Sequence, residues 1–236
     1  MLSFFHRLQL RFHTENKIVA YLLYAIGEIV LLVIGILLAL QINNWNSRRQ
    51  DQKEARKSYQ NIKRQLLEDR SELAKVKDLN NYFAASYVNA SRMIANKDVS
   101  KADSLALMIM GLSQYSDFHR SGNIYEILVN SGEIKLLKNI AVTSGLQKLE
   151  MTYTHLNKLE DIHWEIILNE LSPEVRGAIN YATLEIVKPE KLYSVEIRNF
   201  LIESLFLTQA KDSVYKKAQL EINQLIDQIN SELKSQ

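Results

Sequence analysis

Residues 18–40 read IVAYLLYAIGEIVLLVIGILLAL, a run of 23 residues in which Glu28 is the one charged side chain. A helix rises about 1.5 Å per residue, so a run of this length can cross a hydrocarbon core of about 30 Å. The run is too long for a cleaved signal, and it lacks the small residues of a cleavage site. The sequence therefore predicts a single transmembrane helix over residues 18–42, since no comparable run follows it.

The residues around Glu28 predict a helix face that contacts protein inside the membrane. A charge near the bilayer centre costs about 2.5–3.5 kcal/mol, so this glutamate is expected to be neutral, paired or turned toward protein. Small residues at steps of three and four let a second helix approach closely. The predicted contact face consists of Tyr24, Gly27, Glu28, Gly35 and Ala39, and Trp45 is the predicted anchor at the membrane interface.

Three roles for Glu28 are compatible with this pattern. Copies of the chain can bury their glutamates against each other or against a tyrosine hydroxyl. Alternatively, Glu28 can carry protons while it faces a partner, because acidic residues within membranes often mark such paths. It can also be an acid that the lipid tolerates. Self-association is the leading interpretation.

The flanks of the predicted span bear on its orientation. Leu2, Phe5, Leu8 and Phe12 recur at helical spacing beside two arginines, which predicts an amphipathic segment over residues 1–17 that lies on an anionic cytoplasmic surface. The 15 residues after Ile42 carry five basic residues against three before the span, which favours the opposite orientation. We expect an inner-membrane protein with a cytoplasmic N-terminus and a periplasmic C-terminal domain, because a large domain can translocate regardless of nearby charge.

A long helix is predicted to follow the span. Residues 43–110 contain no glycine or proline, and the predicted helical stalk covers residues 43–95. Its apolar positions form a heptad seam of Tyr59, Ile62, Leu66, Leu73 and Val76, which Asp69 and Asn80 interrupt. The seam indicates either a coiled stalk between copies of the chain or the core face of an intramolecular bundle, and both can hold along one helix.

Residues 96–236 are predicted to form a helical bundle, so the expected fold is all-α. A short helix is predicted to end at Gly132, a long one to run from 143 to 171, and a further short helix to begin at Pro173. Residues 182–190 read as a loop or a small strand. Two helices, 192–207 and 213–233, are expected to complete the bundle, the last of them antiparallel to the first long helix.

The composition excludes several kinds of chemistry. The chain has no cysteine, which excludes thiolate metal sites and cysteine catalysis. Glu160 and His163 form half of a di-iron carboxylate motif, but its second copy is missing, so both are interpreted as core or surface residues. Residues 43–95 carry 11 basic and 6 acidic residues without an aromatic platform, which does not favour a nucleic-acid site. We expect neither an enzyme nor a cofactor or metal.

The anchor resembles a known signature. Residues 21–46, YLLYAIGEIVLLVIGILLALQINNWN, together with the later block 124–132, IYEILVNSG, resemble an uncharacterised family of single-span inner-membrane proteins from Bacteroidota. The resemblance implies an inner-membrane location and a helical extramembrane domain, and it implies no activity.

The expected function is that of a non-enzymatic, homo-oligomeric membrane assembly or scaffold protein. The alternatives are a proton-coupled subunit of a membrane complex that uses Glu28, and a sensor whose bundle binds a small ligand. The expected partners are membrane lipid, further copies of the chain and another membrane protein, but no nucleic acid.

Overall fold

The computed structural model describes residues 17–235, and the predicted amphipathic segment 1–17 lies outside this range except for the backbone of Lys17. The chain is all-α, as predicted, with a long N-terminal helix. Contacts divide it between Glu54 and Ala55 into two compact units. The helices are α1 (Lys17–Ala95), α2 (Ala102–Gly111), α3 (Ile124–Ser131), α4 (Ile140–Ile166), α5 (Ser172–Ala178), α6 (Pro189–Leu192) and α7 (Val195–Ser235).

Shorter elements join these helices. Val99–Lys101 and Glu133–Leu136 are 3-10 turns, and a π-helical turn over Ile167–Leu171 joins α4 to α5. β1 (Ile179–Asn180) and β2 (Glu185–Ile186) form a small antiparallel hairpin in which Ile179 pairs with Ile186. The prediction for residues 182–190 therefore located a real feature but began after its first strand.

The first part of α1 contains the predicted membrane span. Residues 21–50 lie in an unbroken helix and nearly all are exposed, so the apolar side chains do not pack on other residues that the structure describes. This helix is long and apolar enough to cross a membrane, with a mean hydropathy of 2.6 in its most apolar window. The predicted end of the long helix near Ala95 is confirmed.

The second part of α1, from Ala55 onward, buries one continuous stripe. Its buried positions alternate steps of four and three residues, which is the heptad spacing that keeps one side of a helix against its neighbours. The stripe consists of Ala55, Tyr59, Ile62, Leu66, Asp69, Leu73, Val76, Asn80, Phe83, Tyr87, Ala90 and Ile94.

Helices α4 and α7 carry the same spacing. The stripe of α4 consists of Val142, Leu146, Leu149, Tyr153, Leu156, Glu160, His163 and Ile167. That of α7 consists of Ile197, Leu201, Ser204, Thr208, Lys211, Tyr215, Ala218, Ile222, Leu225 and Ile229. Burial of each large apolar side chain in these stripes stabilises the folded state by about 1.5–3 kcal/mol. The three stripes together form the core of the bundle.

Helix α7 runs antiparallel to the second part of α1, as predicted. The Arg56 guanidinium donates to the carbonyl of Leu233 at 3.2 Å, and the Asn80 amide donates to the carbonyl of Thr208 at 2.9 Å. Positions that rise along α1 therefore meet positions that fall along α7. The prediction of two separate helices here was wrong, because the heptad stripe continues without a break through residues 208–212.

Helix α4 runs parallel to α1 and antiparallel to α7. Its Tyr153 hydroxyl donates to Asp69 at 3.0 Å, and further along both helices His163 meets Tyr87 at 3.1 Å. Against α7 it packs closely, since a methyl group added to Gly145 would lie 2.7 Å from Leu225 Cδ2. Two parallel helices need a return connection, and residues 96–139 provide it.

Part of this connection is an extended segment, residues 112–123, which we call the strap. It returns along the bundle in contact with α1 and α4: Ser116 meets Asn80, and further on Ser121 meets Asp69. The strap then enters α3, which ends at Gly132 with a φ of 76°, a left-handed conformation that glycine adopts without steric cost. The predicted helix end at Gly132 is confirmed, as is the start of α5 around Pro173.

The predicted domain division differs from this arrangement at one point. The prediction assigned residues 43–95 to a stalk and residues 96–236 to a bundle. The structure places residues 55–95 in the same compact unit as the later helices, because the stripe of α1 is buried against α4, α7 and the strap.

Candidate functional site

The predicted contact face of the apolar helix is open. Tyr24 is 69% exposed, and Glu28 and Ala39 are also exposed. No atom lies within 4 Å of the position that a Cβ would take at Gly27 or Gly35. The described part of the chain therefore offers this face no partner, and a hydrocarbon environment would leave the carboxyl of Glu28 without one.

Trp45 follows this face on the same helix and is 63% exposed. The guanidinium carbon of Arg49 lies 5.9 Å from the centre of its ring, within the range of a cation–π contact. An aromatic ring paired with a cation suits a boundary between hydrocarbon and headgroups, where one part of the pair is apolar and the other wet.

The predicted seam residues lie elsewhere, in the core of the bundle. Tyr59, Ile62, Leu66, Leu73 and Val76 all belong to one buried cluster with residues of α4 and α7. Of the two interpretations of the seam, the structure supports the core face of an intramolecular bundle. A surface already buried within one chain is not free to join two chains.

The two polar residues that interrupt the seam have partners within the chain. Asp69 accepts hydrogen bonds from the backbone N–H and the hydroxyl of Ser121, at 2.7 and 3.0 Å, and from Tyr153. Asn80 accepts from the Ser116 hydroxyl at 2.7 Å while its amide donates to α7. These hydrogen bonds fix the position of the strap, which explains why two polar residues interrupt an otherwise apolar seam.

The strap also binds two buried charged residues, through the backbone groups of Ser116 and Phe118. The carboxylate of Glu160 accepts from the backbone N–H of Phe118 at 3.0 Å and from the Tyr215 hydroxyl at 2.9 Å. The ammonium of Lys211, whose side chain is fully buried, donates to the carbonyl of Ser116 at 2.9 Å. We call Glu160, Lys211, Tyr215, Ser116 and Asn80 the polar layer.

Burial shifts both charged groups of this layer toward neutrality. It raises the pKa of the Glu160 carboxyl, which the hydrogen bonds from Tyr215 and Phe118 partly oppose. It lowers the pKa of the Lys211 ammonium, which the charges of Glu160 and Asp117 partly oppose. Each charge therefore depends on the other and on the strap for its stability inside the bundle.

His163 lies beside this layer in a more apolar setting. Its Nε2 is 3.1 Å from the Tyr87 hydroxyl, and Tyr115 lies on another side of the ring with a centroid distance of 5.5 Å. Burial, with a smaller effect from the Lys211 charge, lowers the pKa of His163 to about 3, so the folded protein holds a neutral imidazole. Glu160 and His163 are thus core residues with partners of their own.

A small cavity lies in the described part of the bundle. A cavity of about 20 Å³, the space of roughly one water molecule, lies next to the strap and is lined in part by Gln65, Asp69 and Gly122. Among residues 17–235, no group of three or more His, Cys, Asp or Glu side chains is placed to hold a metal ion. The side chains of the polar layer are buried, and their hydrogen bonds attach the strap to the bundle.

Sequence reasoning missed that Lys211, Tyr215 and Ser116 lie in one polar layer with Glu160. A signal for Lys211 was present, because it occupies a heptad position of α7 between Thr208 and Tyr215. Ser116 lies in a segment without periodicity, and its place in the core depends on the path of the strap.

The chain belongs to a family of unknown function, DUF6090, whose family model matches residues 28–210. No curated protein and no solved structure matches the chain. The match begins at Glu28 and extends through the strap and most of the polar layer.

Proposed function

We propose that this protein is a non-enzymatic, single-span membrane protein that assembles into homo-oligomers through the face of its apolar helix around Glu28. One observation supports this most strongly. Glu28 stands exposed within a helix whose apolar side chains are also exposed, and the described part of the chain contains nothing that covers it. A second copy of the same face would supply a carboxyl or tyrosine hydroxyl to each Glu28.

The organisation of the bundle supports an assembly that is confined to the membrane. The heptad stripes of α1, α4 and α7 are buried against each other, so the bundle completes its core without a second chain. Several of its buried polar residues, among them Asp69, Glu160 and Lys211, hold the strap in place, which favours a structural domain over an enzyme. Among the described residues, the apolar helix has no packing partner for its contact face.

The proposed location is the bacterial inner membrane, with the N-terminus in the cytoplasm and the bundle in the periplasm. The resemblance of the anchor to single-span inner-membrane proteins of Bacteroidota supports this location. The orientation follows from the amphipathic N-terminal sequence.

The experiment compares the mass of the full-length protein in mild detergent for matched variants. Gly35→Leu adds bulk on the contact face, and Leu37→Phe adds bulk on the opposite face as the control. We expect an oligomer for the natural protein and for Leu37→Phe, and monomers for Gly35→Leu and Glu28→Leu. A monomeric natural protein, or an oligomer that none of these changes affects, would contradict the proposal.

Glu28→Gln separates assembly from proton coupling, the alternative that the single acid in the apolar run keeps open. Glutamine retains the shape and hydrogen-bonding capacity of glutamate but cannot ionise. If Glu28 serves assembly alone, the variant stays oligomeric, and native membranes that contain it conduct protons as membranes with the natural protein do. An oligomeric variant whose membranes have lost a proton conductance that the natural protein confers would favour the proton-coupled subunit.

A further inference from the structure

One end of the bundle collects cations from three distant parts of the chain. Hydrogen bonds join these parts: Arg56 donates to the carbonyl of Leu233, Ser58 donates to Glu133 at 3.1 Å, and the Asn139 amide donates to Glu232 at 2.6 Å. The start of the α1 stripe, the turn before α4 and the end of α7 therefore meet. The basic end, as we call it, consists of Arg56, Lys57, Lys135, Lys138 and Lys234, all of them exposed.

These cations lack acidic partners. Within residues 17–235, none of the five lies within 4 Å of a carboxylate, whereas lysines elsewhere on the bundle, such as Lys191 and Lys216, form ion pairs. The two carboxylates at this end, Glu133 and Glu232, accept hydrogen bonds from Ser58 and Asn139. The surface thus has an excess of positive charge that the bundle itself does not neutralise.

The same end also exposes an apolar side chain. Ile140, the first residue of α4, is 77% exposed beside these cations. A surface that combines several cations with a protruding aliphatic group matches the headgroup region of a membrane, where anionic phosphates lie next to acyl chains.

We propose that the basic end binds anionic phospholipid headgroups, an inference that rests on the membrane anchoring proposed above. Only 12 residues separate Ile42, the last residue of the predicted span, from Ala55, the first residue of the bundle. The cations nearest to the span in sequence, Arg56 and Lys57, belong to the basic end. The sequence alone showed these two, whereas Lys135, Lys138 and Lys234 join them only through the fold.

The test measures how fast an amine-reactive acetylating reagent modifies individual lysines of the full-length protein in lipid nanodiscs. One set of nanodiscs contains phosphatidylcholine alone and the other contains phosphatidylcholine with phosphatidylglycerol. We expect Lys57, Lys135, Lys138 and Lys234 to react roughly fivefold more slowly in the anionic nanodiscs, and high salt to remove the difference. Lys97 and Lys188, exposed at the other end of the bundle, are internal controls whose rates stay equal.

A variant pair gives a second measurement. Lys135→Gln with Lys138→Gln should reduce the phosphatidylglycerol that copurifies with each chain, and Lys97→Gln with Lys188→Gln should leave it unchanged. If the lysines of the basic end react at the same rate in both kinds of nanodisc, whether slowly or fast, the inference is overturned while the membrane anchoring stands. Protein that does not enter nanodiscs would overturn the anchoring and this inference together. The same labelling is repeated in native membranes. If the lysines of the basic end are protected there but not in lipid nanodiscs, the inference of lipid binding is overturned and a protein partner is indicated.

Discussion

Helix α1 contains two stretches with the same backbone and opposite surroundings. From Ala55 to Ile94 it buries a heptad stripe against α4, α7 and the strap. From Tyr21 to Leu40 it exposes nearly every side chain, although these side chains are mostly apolar. Periodicity shows which face of a helix seeks a partner, but not whether that partner lies in the same chain. In this protein the regular seam packs against helices of the same chain. The apolar stretch has no such contacts within residues 17–235.

The largest expected effect concerns a buried charge of the bundle, which holds the stretch of α1 from Ala55 to Ile94. In Lys211→Met the carboxylate of Glu160 would lose an opposite charge inside the bundle and the Ser116 carbonyl would lose its donor, so the free energy of unfolding should fall by about 3–5 kcal/mol. Chemical denaturation of the full-length protein measures it. Lys216→Met is the control, because this exposed lysine pairs with Asp212 at the surface and should change stability by less than about 1 kcal/mol. Equal effects would show that Lys211 is not buried as described.

A matched pair of leucines tests the two stretches of α1 directly. Leu73→Ala removes a fully buried side chain and should lower the free energy of unfolding of the bundle by about 2–5 kcal/mol. Leu37→Ala removes a side chain of the same size from the open stretch and should leave the unfolding of the bundle within about 0.5 kcal/mol. If Leu73→Ala were harmless and instead dissociated an oligomer, the seam would join chains after all.

The attachment of the strap gives a smaller effect. In Asp69→Ala, the donors on Ser121 and Tyr153 would lose their acceptor, which costs about 1–3 kcal/mol of stability. Hydrogen exchange should also speed up at the backbone of Ser121. Asp78→Ala, an exposed position of the same helix, is the control and should alter neither quantity. A strap whose exchange does not respond would contradict the assigned role of Asp69.

The pH dependence of stability gives the finest comparison. The pKa of His163 is lowered from 6.5 to about 3 in the folded protein, so its contribution to stability is present above pH 6.5 and is lost as the pH falls toward 3. The raised pKa of Glu160 acts with the opposite sign, since its contribution is present at low pH and is lost as the pH rises.

His163→Gln removes the first of these two contributions. Between pH 6.5 and 4.5 this variant should therefore gain stability relative to the natural protein, by up to about 1.4 kcal/mol per pH unit. His119→Gln, whose side chain in the natural protein is 81% exposed, is the control and should follow the natural pH profile. Identical profiles for all three proteins would mean that His163 is not held neutral in the core.

The sequence predicted the elements of this fold better than their partners. The continuation of α1 beyond the predicted span followed from a stretch without glycine or proline, the end of α3 from Gly132, and the start of α5 from Pro173. The strap could not be predicted, because its place depends on backbone groups of residues 116–121 that accept and donate without a sequence signature. For the same reason the partners of Asp69 and Asn80, in the strap, α4 and α7, could not be identified from the seam that these residues interrupt.

The candidate sites divide in the same way. The face around Glu28 could be read from spacing alone, because a straight helix places residues three and four positions apart on one side. The polar layer and the basic end could not, since each combines side chains from distant parts of the sequence, such as Glu160 with Tyr215 in the polar layer or Lys57 with Lys135 in the basic end.

The most direct test of the central claim uses the absence of cysteine from the natural sequence. A single cysteine introduced at Ala39, on the face of Glu28, is oxidised in native membranes, and cross-linked dimers are counted on a denaturing gel. Leu37→Cys on the opposite face is the matched control. We predict efficient dimers for Ala39→Cys that Glu28→Leu abolishes, and few for Leu37→Cys. Equal cross-linking at both positions, or none at either, would contradict an assembly held together by the face around Glu28.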